Sequence, residues 1–103
     1  MGPDGEGRDA PPAVLHLIGI LDDEEFTVRN AAARALASFG KPAERAIRKA
    51  IGEAHVMPRR QMIRVLGAMQ SRKARRTLQK MLKDRDEGVR RDAAKALEDP
   101  IPL

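Results

Sequence analysis

The chain of 103 residues contains no cysteine, tryptophan or tyrosine, and its only aromatic residues are Phe26 and Phe39. Without cysteine it has no disulfide framework and no thiolate to serve as nucleophile or metal ligand, in keeping with a reducing compartment. Long hydrophobic runs are also missing. The longest apolar stretch, residues 13–21, is interrupted by His16 and Gly19 and falls far short of the roughly 20 residues that span a bilayer. No basic segment followed by an apolar run marks a secretory signal, so the expectation is a cytoplasmic protein that does not associate with membranes.

Catalytic chemistry is poorly supplied. The two histidines, His16 and His55, have no carboxylate at metal-ligand spacing. Ser38 and Ser71 lack a histidine placed to activate them. The glycines at 2, 5 and 7 follow no strand and so make no phosphate loop. The sequence therefore predicts a protein that is not an enzyme and that holds neither metal nor cofactor.

What is present is an alanine-, leucine-, isoleucine- and methionine-rich apolar set, 42% of residues in all, a composition that suits closely packed helices better than strands. Residues 1–11 are rich in glycine, proline and charge and read as a disordered leader. Pro12 suits the first turn of a helix. Val14, Leu17, Ile18 and Leu21 follow at the spacing of one helix face. Apolar periodicity and Gly or Pro stops continue along the chain, predicting six helices over 12–21, 25–39, 42–52, 57–70, 74–83 and 87–98. Asp22 and Asp23 are placed to cap the second helix. Its inward face is expected to be Val28, Ala31, Ala32, Ala35, Leu36 and Phe39. The fifth helix is expected to bury Leu78, Met81 and Leu82. Gly67, inside the fourth, suggests a close helix–helix approach. Residues 100–103, with Pro100 and Pro102, read as a tail.

The strongest feature is self-similarity. Leu21, Val28, Arg29 and Leu36 recur as Ile51, Pro58, Arg59 and Leu66, and again as Leu82, Val89, Arg90 and Leu97, at offsets of 30 and then 31 residues. A fixed period of this length signals a solenoid, in which each unit buries its apolar face only against a neighbour. The pattern L-x-D-x-x-x-x-V-R-x-x-A-A-x-A-L resembles HEAT-like repeats, in particular the short subtype of about 30 residues known from phycobilisome lyases. The likeness covers residues 13–98 and weakens in the middle, where Pro58 stands for valine.

The resemblance implies an all-α, short right-handed solenoid of about three helical hairpins over residues 12–99, with half-repeats at both ends. In each pair the first helix lines the convex side and the second the concave side. The second-type helices are then those at 12–21, 42–52 and 74–83. The iron-binding HEAT-like hydroxylases carry repeated His-Glu pairs, which this chain lacks. The repeated Arg29, Arg59 and Arg90, with Asp23, Glu53 and Asp84 six residues earlier, read as a ladder of ion pairs and caps, since a ladder requires repetition at equivalent positions.

Charge does not follow the repeat. Residues 1–40 carry net −4, residues 41–83 carry net +11 with Glu44 and Glu53 as their only acids, and residues 84–103 carry net −2. If the second-type helices lie side by side, Arg45, Arg48, Lys49, Arg72, Arg75, Arg76, Lys80 and Lys83 form one ridge. Such a ridge concentrates acidic partners, with an effect that falls as salt rises. The expectation is a protein-interaction or scaffold module for an acidic protein segment. Duplex nucleic acid bound through its backbone is the alternative. It ranks lower because single-strand binding usually adds aromatic stacking, and the ridge has no aromatic residue. Residues 71–76 also resemble a nuclear-localisation cluster. On the first helix, Leu15 and Ile18 occupy positions that are charged or polar on the later ones. They suggest an apolar docking face, for self-association or for continuation of a longer array.

Overall fold

The computed structural model describes residues 10–99 and 103. Six helices follow one another: α1 (Pro12–Ile20), α2 (Phe26–Phe39), α3 (Lys41–Ala50), α4 (Val56–Met69), α5 (Arg72–Met81) and α6 (Glu87–Glu98). A short 3-10 turn, Ile51–Glu53, extends α3. No strand occurs among the described residues. The expected leader falls mostly on residues 1–9, and the tail mostly on 100–102, which lie outside the described residues.

Local chemistry sets the helix boundaries. Pro12, Pro42 and Pro58 all lie in first turns, where a missing N–H costs no intrahelical bond. The Ser71 hydroxyl accepts the Ala74 N–H at 2.9 Å and so caps α5. The Asp86 carboxylate accepts the Val89 N–H at 2.9 Å and caps α6. At the start of α2 the expectation of an aspartate cap is corrected. Glu25 is the N-cap and makes no side-chain cap bond, while Asp23 accepts the Glu25 N–H at 2.8 Å and folds the preceding turn. Asp84 does the same for Asp86 at 2.9 Å. Gly40 and Gln70 occupy equivalent positions after α2 and α4, and both have positive φ, 73° and 58°.

The helices form two layers, with α1, α3 and α5 in one and α2, α4 and α6 in the other. Each is packed against its neighbours in both layers. A single core runs from Val14 through Leu36, Ile47, Ile63, Leu66 and Leu78 to Ala96. Gly67 provides the expected close approach: a Cβ added there would stand 3.0 Å from that of Ala96 on α6.

Equivalent positions differ in burial according to their neighbours. Val28 is 37% exposed, whereas Val89 is fully buried, and Pro58 between them is buried too. Val89 lies on α6, which packs against α4, and Pro58 lies on α4, which packs against α2. No first-type helix precedes α2 among the described residues. The expectation that Val28, Ala31 and Phe39 face inward is therefore corrected, since all three are exposed. The opposite end shows the same effect. Leu21 is fully buried, but its counterpart Leu82 is 39% exposed, contrary to expectation, since among the described residues no further repeat stands against it.

The repeated arginines form a ladder of hydrogen bonds to backbone carbonyls, which take the place of the expected ion pairs with Asp23, Glu53 and Asp84 six residues earlier. Arg29 donates to the Asp23 carbonyl and Arg90 to that of Asp84, each at 2.7 Å. Arg59 donates instead to the carbonyl of Ala54. It also crosses to the next repeat, where its Nε lies 3.0 Å from Asp84 Oδ2 and its Nη2 donates to Oδ1 at 3.2 Å. Arg60 donates from α4 to Asp92 on α6 at 2.8 Å. This hydrogen bond, with the negative charge of Asp92 and Asp86, raises the Arg60 pKa above its ordinary value despite an opposing contribution from burial.

Candidate functional site: a cationic cleft between α3 and α5

The first turns of α3 and α5 are joined by a buried carboxylate. Glu44, on α3, accepts a hydrogen bond from the Ser71 hydroxyl at 2.8 Å, and Arg48 Nε lies 3.4 Å from the same carboxylate oxygen. Ser71 therefore both caps α5 and ties it to α3. Glu44 was legible in the sequence as one of only two acids in a strongly basic block; its burial was not.

Around this link lies a cleft of about 210 Å³, lined by Lys41, Glu44, Arg45, Arg48, Ser71, Arg72 and Lys73. Five cationic side chains thus surround one carboxylate that is already engaged. The positive end of the α5 dipole opens on the same side and adds to the attraction for anions. A concave wall lined by one sign of charge focuses the field more than a flat surface does.

Three of the sequence-predicted ridge residues, Arg45, Arg48 and Arg72, line this cleft. The others are placed elsewhere. Lys49 is exposed on α3, and Arg76 and Lys80 are exposed along α5, while Lys83 lies in the turn beyond it. Arg75 points to α6, where its guanidinium donates to the Leu97 carbonyl at 3.3 Å. Lys41, outside the predicted set, joins the cleft because α3 begins one residue earlier than expected. The two apolar candidates on α1 separate: Leu15 is exposed, whereas Ile18 is half-buried and packs against the core. His16 and His55 are both exposed. Among the described residues no three His, Asp or Glu side chains are grouped to hold a metal ion.

Antiparallel helix pairs stacked at a 30–31-residue period, with a capping ladder between them, define a short α-solenoid of helical repeats. The family model for HEAT repeats matches residues 44–100, more than half of the chain, and the protein belongs to that family. No curated protein matches it. HEAT repeats generally mediate protein–protein interaction or scaffolding, and are typically non-catalytic. Among the described residues no helix is long and apolar enough to cross a membrane.

Proposed function

We propose that the protein is a non-catalytic interaction module that receives an acidic segment of a protein partner in the cleft between α3 and α5. The observation that carries this reading is the convergence of Lys41, Arg45, Arg48, Arg72 and Lys73 around the engaged carboxylate of Glu44. Arg76 and Lys80, exposed further along α5, extend the field beyond the cleft. Carboxylates suit such a site because arginine can bind them through two parallel N–H donors. The near absence of aromatic residues favours acidic protein over single-stranded nucleic acid, which is usually held by stacking.

The test is a titration of the protein with a labelled glutamate-rich peptide and, separately, with a duplex DNA of random sequence, at low and physiological salt. The acidic peptide should bind, and the double reversal Arg45→Glu with Arg72→Glu should weaken it at least tenfold while leaving the helical circular-dichroism signal unchanged. Equal affinity of the reversed and parent proteins would sink the assignment. Tighter binding of the duplex at physiological salt, with a steep salt slope, would transfer the site to nucleic acid.

A further inference from the structure

The N-terminal end of the solenoid carries an open groove. Leu17 and Ile20 of α1 and Thr27, Val28, Ala31 and Ala32 of α2 line it. Its lining is mostly apolar, and several of its positions are buried in the later repeats. Leu17 is half-buried where its counterparts Ile47 and Leu78 are buried. Val28 is exposed where Pro58 and Val89 are buried. In the second repeat that cover is α2; in the third it is α4.

Charge follows the same logic. Asp84 folds the turn before α6 and also takes Arg59 from the preceding first-type helix, at 3.0 Å. Asp23 folds the equivalent turn before α2, but among the described residues it makes no ion pair. The groove therefore repeats the apolar half of an interface that occurs twice within this chain, and Asp23 repeats the acidic half of the second of these, between α4 and α6, where Arg59 meets Asp84.

We infer that this groove is a docking site for an amphipathic helix of a partner protein. That helix lies on α2 as α2 lies on α4, and presents an arginine to Asp23 as Arg59 is presented to Asp84. Helix-in-groove recognition of this kind reads a stripe of apolar anchors together with a fixed charge. A second copy of this chain is a poor occupant. The helix it would offer is α6, where Glu98 stands at the position of Gly67, at which even an added Cβ would stand 3.0 Å from the Cβ of Ala96 on the facing helix. Residues 1–9 hold one large apolar residue, Met1, and do not supply the stripe.

The probe is a synthetic peptide copying residues 54–70, stapled on its exposed face because an isolated helix of this length is marginal in water. It is titrated into the full chain and followed by methyl and amide NMR. We expect saturable binding, with the largest shifts at Leu17, Ile20, Val28 and Ala31. Val28→Glu and Asp23→Arg should each weaken it at least tenfold, and a peptide bearing Arg59→Asp should recover affinity for the Asp23→Arg protein. Three outcomes would overturn the inference. The first is the absence of saturable binding. The second is binding that neither substitution affects, or that shifts Val89 and Ala96 instead. The third is concentration-dependent dimerisation of the free chain, abolished by Val28→Glu, which would make a second copy the occupant.

Discussion

Gly67 of α4 and Ala96 of α6 meet where neither helix has room for a larger side chain, with only 3.0 Å between the Ala96 Cβ and a Cβ placed on Gly67. Gly67→Val should therefore overpack the α4–α6 interface and cost about 1–3 kcal/mol. Part of that loss should return when Ala96→Gly is added. Gly67→Ala should be close to neutral, because about 1 kcal/mol of helix propensity opposes the contact. Urea denaturation of the three variants and their parent checks this, and a Gly67→Val protein as stable as its parent would refute the contact.

The repeat offers matched pairs in which one residue type occupies two environments. Val89→Ala should cost roughly 2 kcal/mol, from two buried methyl groups. Val28→Ala, at the same repeat position but 37% exposed, should cost no more than about 0.5 kcal/mol. Leu36→Ala and Leu66→Ala, both fully buried, should cost about 2–5 kcal/mol each. Thermal melts at one protein concentration would rank the four. Equal losses at Val28 and Val89 would mean that the end groove is covered in the free protein.

Arg59 and Asp84 keep 9% and 11% side-chain exposure, so the pair is only weakly screened by solvent. Removing one partner strands the other, and Arg59→Ala should cost about 3 kcal/mol, the lower end of the range for buried pairs. The double variant with Asp84→Ala should lose less than the sum of the single losses. A double-mutant cycle that gives additive losses would remove the ladder's role in stability.

Gln70 ends α4 at φ 58° and ψ 24°, a left-handed conformation that costs a residue with a Cβ about 1–2 kcal/mol. Gln70→Gly should raise stability by about 0.5–1 kcal/mol, the relief of strain being partly offset by the greater freedom of glycine in the unfolded chain. A fall in the denaturation midpoint would contradict this.

The sequence pattern located helices well. The ends of α2 and α6 are within one residue of expectation, and no boundary is more than two away, because proline, glycine and the switch in periodicity act locally. Repetition made the positions of the ladder arginines legible too, but not their partners, which are backbone carbonyls and, for Arg59, the acid of the next repeat. Burial at the ends was not legible. Val28, Phe39 and Leu82 have the same local pattern as buried residues, and pattern marks the apolar face of a helix without saying whether a neighbour stands against it. The cationic cleft was half legible. Composition gave the basic block, but the partners of Arg75 and Glu44 depend on how α5 is set against α6 and α3. Those are Leu97 and Ser71, 22 and 27 residues distant in sequence.

The placement of α4 bears on how the molecule comes apart. This helix touches α2, α3, α5 and α6, and it supplies Met62, Ile63, Val65 and Leu66 to the core. In a long solenoid a repeat can melt while those beyond it persist, as in a one-dimensional chain of coupled units. Here loss of α4 would remove a supporting face from both halves at once. Amide exchange in α4 should then report the global opening of the whole chain, while α1 and the end of α6 fray independently. Three repeats joined through one central helix should then open globally as one unit, so a partner that grips either end should slow amide exchange in α4.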